Sequence, residues 1–176
     1  SLAYVASYED LRAAYGPDGA RGVMHFLIRG ADIEHRTVSF DPLAYLASHA
    51  DLRLAFGLDT DAAARHYITQ GAGTEQRSVT FDGLAYIAAN QDLHALGANA
   101  SAGARHYITT GHAESRGFLD IAQYVLGHQD LLDAYGLSSG AAGHYIQHGA
   151  GEGRQVLLAR NNGTAGDESL AGGAAA

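Results

Sequence analysis

Apolar residues recur along this chain at three- and four-residue steps, in short bursts separated by glycine, aspartate and proline. Such steps gather side chains on one face of a helix. The pattern is plainest between Asp41 and Phe81. Leu43, Leu46 and Ala47 share a face, and Asp41-Pro42 supplies an N-cap followed by proline at the first helical position. A second short helix is expected from His49 to Phe56, carrying Asp51, Leu52 and Ala55 and stopped by Gly57. Asp59-Thr60 caps a third, from about Asp61 to Gln70, in which Ala64, Tyr67 and Ile68 recur at helical spacing before Gly71 ends it. Ser78-Val79-Thr80-Phe81 then leads onward.

The block is written four times, with a period of about 40 residues. Tyr4, Tyr45, Tyr86 and Tyr124 align, and six residues after each comes Asp-Leu, at Asp10, Asp51, Asp92 and Asp130. An aromatic and a glycine close that segment, except in the third copy, which is one residue shorter and places Leu96-Gly97 there. Next comes His25-Phe26-Leu27-Ile28 with Gly30, then Glu34-His35-Arg36. Later copies read His66-Tyr67-Ile68, Gly71, Glu75-Gln76-Arg77, then His106-Tyr107-Ile108, Gly111, Glu114-Ser115-Arg116. The last reads His144-Tyr145-Ile146, Gly149, Glu152-Gly153-Arg154.

Three short helices per repeat follow, none stable alone, because isolated helices under about 12 residues are marginal in water. The fold expected is all-α, with four tandem repeats at 1–39, 40–80, 81–117 and 118–158. Stability must come from packing within and between repeats, as a solenoid-like array or as a closed helical bundle. The first copy lacks the Phe-Asp lead of Phe40-Asp41 and Phe81-Asp82, so the sequence is expected to be a piece that starts inside a repeat. From 159 to 176 the chain turns rich in glycine and alanine with no apolar face, and an unpacked tail is expected.

Composition narrows the function. At 47% hydrophobic the chain can build a core, and no apolar run approaches the roughly 18 residues of a membrane span. No charged-then-apolar leader opens it, and cysteine is absent, so neither a cleaved secretory signal nor a disulfide is expected. The net charge of −8 includes no basic stripe, which argues against nucleic acid. Ten histidines would carry the charge to about +2 if all were protonated below pH roughly 6.5.

The Tyr-x5-Asp-Leu and His-Tyr-Ile-x2-Gly…Glu-x-Arg segments resemble a helical module of large secreted bacterial proteins of the RTX, or hemolysin-type calcium-binding, family. The tail resembles the opening of that family's glycine-rich array: Gly166-Asp167, Leu170 and Gly172-Gly173 stand in the order of one half-turn. The resemblance implies type I export through an uncleaved signal, a secreted or cell-surface setting, and calcium in an adjoining array. It implies adhesion, surface-layer or biofilm roles, or service as an accessory to an enzyme.

The aligned His25, His66, His106 and His144 have two readings. As zinc ligands they would have to converge on one point, which equivalent positions a repeat apart oppose. As structural residues they would donate to a carbonyl at a helix end. Asp10, Asp51, Asp92 and Asp130 with Arg36, Arg77, Arg116 and Arg154 suggest an Asp–Arg bridge, or an aspartate N-cap with arginine on nearby carbonyls. The aligned Glu34, Glu75, Glu114 and Glu152 are alternative partners for the arginines. Every such carboxylate has three equivalents, whereas acid–base catalysis needs groups in distinct environments, so no catalytic residue is expected. No Gly-x-Ser-x-Gly motif or phosphate loop occurs. The register that varies is the candidate contact surface for a polysaccharide or protein: Tyr8, His49, Asn90 and His128, two residues before the aspartate. A second variable register holds Arg12, Arg53, His94 and Leu132.

Overall fold

Aspartate begins five of the eleven α-helices among the described residues, because the first turn of a helix leaves backbone N–H groups without partners. Asp41 accepts from the N–H groups of Leu43 and Ala44, Asp59 from Asp61 and Ala62, and Asp82 from Leu84 and Ala85. A computed structural model of the protein describes residues 1–156 and the backbone of 158–159.

The first repeat holds helices α1 (Leu2–Ala6), α2 (Glu9–Tyr15) and α3 (Gly19–His25). The second holds α4 (Pro42–Ser48), α5 (Ala50–Phe56) and α6 (Thr60–His66). The third has α7 (Gly83–Ala89), a 3₁₀ helix over Gln91–Leu96 and α8 (Ala100–His106). The fourth has α9 (Ile121–Leu126), α10 (Gln129–Tyr135) and α11 (Gly140–His144). The chain is helical, as expected, with one two-residue ladder among the described residues. In it β1 (Phe118–Leu119) runs antiparallel to β2 (Leu158–Ala159), with Phe118 opposite Ala159. Ala159 is therefore paired, where the unpacked tail was expected to begin; residues 160–176, including the glycine-rich half-turn, lie outside the described residues.

Two further departures have local causes. The third copy, a residue short, winds its middle segment as 3₁₀; six residues at about 2.0 Å rise reach slightly farther than seven at about 1.5 Å. The third helix of each repeat does not run on as α to its glycine. It stops at the histidine and widens into a π turn, at Phe26–Gly30, Tyr67–Gly71, Tyr107–Gly111 and Tyr145–Gly149. Each turn is marked by a five-residue bond, such as the Ala72 N–H to the Tyr67 carbonyl at 2.9 Å.

Packing joins each repeat to the next. Helix α1 lies against α3 and α6, α4 against α6 and α8, and α7 against α8 and α11. The first helix of a repeat thus touches its own third helix and that of its successor. Tyr4, Tyr45, Tyr86 and Tyr124 are each at most 2% exposed. Ile68 packs against both the Tyr4–Val5–Leu11 cluster and the cluster around Tyr45 and Tyr86, and Ile146 bridges that cluster and the one around Tyr124. Serine ties the connectors down: the buried Ser48 hydroxyl donates to the Ala44 carbonyl and accepts the N–H groups of Thr80 and Phe81. Ser7 does the same for Ser39 and Phe40.

Candidate functional site: a side-chain relay repeated four times

The residues that the sequence repeats meet in space within each copy. The π turn carries the glycine up to the buried tyrosine, so closely that a Cβ on Gly30, Gly71 or Gly111 would overlap the hydroxyl of Tyr4, Tyr45 or Tyr86. Only a residue without a side chain allows that approach. The phenol then reaches Nδ1 of the repeat's histidine: Tyr4 to His25 at 3.0 Å, Tyr45 to His66 at 3.0 Å, Tyr86 to His106 at 2.9 Å and Tyr124 to His144 at 3.4 Å. In the first two repeats Nε2 faces a carboxylate, Glu34 at 3.7 Å and Glu75 at 3.6 Å.

The glutamate continues the chain of contacts. Arg36, Arg77, Arg116 and Arg154 place Nε 2.5–2.7 Å from Glu34, Glu75, Glu114 and Glu152. The same guanidinium donates to both oxygens of Asp10, Asp51, Asp92 or Asp130 at 2.7–3.0 Å, through both outer nitrogens except in Arg116, which uses Nη1 alone. One arginine therefore serves both acids that were considered as alternative partners, a task for a planar fork of donors and not for an ammonium. The residue between glutamate and arginine turns left-handed, with φ of 51° at His35, 50° at Gln76, 52° at Ser115 and 68° at Gly153. That turn points both side chains to one side.

Several expectations change in detail. The histidine meets the tyrosine in every repeat, and a glutamate in the first two, not a backbone carbonyl. The four aspartates are not N-caps: His49, for instance, precedes α5, and Asp51 lies inside its first turn. Among the described residues, no group of three or more His, Asp or Glu is gathered as for a metal ion.

Electrostatics follow from these partners. Hydrogen bonds from arginine hold the carboxyls of Asp10, Asp51, Asp92 and Asp130 below the usual aspartate value, and the arginines are raised in return. Glu152 is lowered by its bond from Arg154. Burial raises Tyr4 and pushes Tyr45, Tyr86 and Tyr124 up to about 12.

The variable register also faces the scaffold. The Tyr8 hydroxyl donates to the Thr37 carbonyl and accepts its N–H, and His49 Nε2 lies 3.0 Å from the Ser78 carbonyl. Asn90 donates to the carbonyls of Tyr86 and Gly117, and His128 Nδ1 lies 2.8 Å from the Tyr124 carbonyl. Three of the four thus clamp the connector to the next segment. Burial holds His49 below the usual histidine value.

The second register, which the sequence marked only as variable, joins repeats. Arg12 donates to the Ala6 carbonyl and covers the Tyr67 ring at 5.5 Å; Arg53 donates to Ala47 and covers Tyr107 at 5.3 Å. His94 meets Tyr145 edge-on at 5.9 Å. The sequence signal was an aromatic after each histidine together with a cation or imidazole in the preceding copy. Between the second and third repeats lies an open groove lined by Leu43, Leu96, Asn99, Ser101, Arg105 and Thr109. No helix among the described residues is long and apolar enough to cross a membrane.

Comparison of the chain with protein-family models, with curated proteins and with solved structures finds no match.

Proposed function

We propose that the chain is a non-catalytic, array-like repeat module of a secreted or cell-surface bacterial protein, serving adhesion or scaffolding through contact with a polysaccharide or another protein. One observation carries this reading: in every copy the repeated tyrosine meets the histidine and the repeated arginine takes both the aspartate and the glutamate, so these side chains are spent on one another. Residues bound up in that way hold a shape. Contact with a partner then falls to the surface beside the relay, above all the groove bearing Asn99, Arg105 and Thr109 next to His106, where the Arg105 guanidinium suits carboxylates, the Asn99 NH2 can still donate and the Thr109 oxygen can still accept.

A second reading makes the module an accessory or targeting domain of a secreted RTX-type enzyme whose catalytic part lies in another segment. The order Gly166-Asp167, Leu170, Gly172-Gly173 favours it, with calcium held by an adjoining glycine-rich array and export by a type I system. A glycan array and a pull-down from bacterial envelope fractions, each with and without calcium, test both readings. Saturable binding that is lost in an Asn99→Ala, Arg105→Ala, Thr109→Ala variant supports adhesion. Silence on every glycan and fraction rejects it in favour of the accessory role.

A further inference from the structure

The third repeat departs from its neighbours at several positions, and those departures meet in the groove. Where the other copies close their second helix with Tyr15, Phe56 or Tyr135, the third carries Leu96. Each of those rings lies beside the histidine of its own repeat, with centroids 5.8–5.9 Å apart. The shorter leucine leaves that side of His106 without a ring, and both residues line the groove. His25 and His66 also face Glu34 and Glu75 through Nε2, whereas His106 makes no such pair among the described residues.

Charge changes at the same place. Helix α6 starts with Asp59 at its N-cap and Asp61 in its first turn, where α8 has the neutral Asn99 and Ser101. Arg65 and Arg105 hold one register, each just before its histidine, and both are exposed. Among the described residues they are the two arginines that bond to neither a carboxylate nor a carbonyl; the others are committed to one or the other. Asp61 stands one turn before Arg65, while Arg105 has Ser101 in that place. The carboxylate that touches the groove's lining, Asp41, is already engaged. One of its oxygens accepts the N–H groups of Leu43 and Ala44, and the other accepts the Ser101 hydroxyl.

An unpaired guanidinium offers a planar fork of donors that matches a carboxylate. Around it the groove has groups for hydroxyls. The Asn99 oxygen is taken by the Ala102 N–H at 3.0 Å, which leaves its NH2 to donate, and the Thr109 hydroxyl donates to the Arg105 carbonyl at 3.1 Å, which leaves its oxygen to accept. Leu96, 41% exposed, adds an apolar wall. The volume of about 480 Å³ lies in the range of small-ligand sites, roughly 300–1,000 Å³. A carboxylate, hydroxyls and an apolar ring face occur together in a uronic acid. We propose that this groove binds an acidic saccharide, with the carboxylate of one hexuronate unit on Arg105 and its ring face on Leu96. The proposal deepens the adhesion reading and rests on it.

Calorimetric titration of the whole 176-residue chain tests this, with a galacturonate tetrasaccharide, the neutral galactose tetrasaccharide and tetraglutamate as probes. Two variants report on the groove: Arg105→Gln, and Asn99→Asp, which gives α8 the cap residue of α6 and adds a negative charge. Both positions are exposed, so circular dichroism of the variants should match the parent. The uronate is expected to bind more weakly as salt rises, and Arg105→Gln to weaken it by about tenfold or more. Asn99→Asp should weaken it as well, and the other two probes should bind far less tightly than the uronate. Equal affinity for the neutral sugar, or uronate binding unchanged in Arg105→Gln, overturns the proposal. Tetraglutamate bound as tightly as the uronate overturns it in favour of an acidic peptide, and silence of all three probes overturns it outright. Each of these failures leaves adhesion standing where the glycan array still shows saturable binding; silence there too removes both.

Discussion

The phenol oxygen of Tyr45 lies 3.0 Å from Nδ1 of His66, and the backbone of Gly71 closes against it from the next turn. That one relationship, repeated in each copy, explains why tyrosine, histidine and glycine recur together. A buried phenol needs a partner, the histidine supplies it, and the glycine leaves room for both.

Replacing that glycine should therefore overpack the site. Gly71→Ala is expected to lose about 1–3 kcal/mol in urea unfolding. Adding Tyr45→Phe removes the oxygen the new methyl would strike, and the pair should recover at least about 0.5 kcal/mol relative to additivity. A Gly71→Ala protein with the parent's midpoint would contradict the close approach.

Alkaline pH should unfold the protein through its tyrosines. Tyr45, Tyr86 and Tyr124 ionise near 12 when folded because burial disfavours the phenolate, against about 10 in an unfolded chain. The stability this represents is fully present below about pH 10 and is lost as pH rises through the folded value. Phenolate absorbance followed alongside circular dichroism should show the surface tyrosines titrating first, and the buried ones only as helix is lost. A single step near pH 10 with helix retained would be inconsistent with the buried set.

At the acid end the sign reverses. The folded carboxyl of Asp51 is lowered by its bonds from Arg77, so its contribution is present above about pH 4 and fades as pH falls through the lowered value. Its side chain is 60% exposed, so screening limits the pair to about 1 kcal/mol or less. Asp51→Asn should flatten the fall in stability below pH 4 slightly, and high salt should do the same. A flattening of several kcal/mol would mean that the pair is far less hydrated than its exposure implies.

The left-handed residue between glutamate and arginine offers an opportunity to stabilise the fold. Gln76 adopts φ 50° with a side chain, whereas Gly153 occupies the equivalent turn without one. Gln76→Gly should gain about 0.5–1 kcal/mol, and Gly153→Ala should lose a similar amount. Thermal unfolding of the two variants, moving in opposite directions, would establish the turn's role; loss of stability in Gln76→Gly would refute it.

Much of this was written in the sequence. Asp41, Asp59 and Gly57 set helix starts and stops by local chemistry alone: a short acceptor satisfies free N–H groups, and a residue with no Cβ turns the chain at φ 57°. The period followed from the recurrence of Tyr45, Asp51, His66 and Arg77 in every copy. What the sequence could not assign was partnership, because spacing along a chain says which residues recur and not which side chains meet. Only the fold decided that Arg77 takes Asp51 and Glu75 together, and that His66 binds a phenol and not a carbonyl. It also turned His49 and Tyr8 back onto the connectors, and set Arg53 over the ring of the following repeat. Those contacts depend on a π turn and on helix packing across repeats, where burial, hydrogen-bond geometry and van der Waals fit act jointly over residues far apart in the chain.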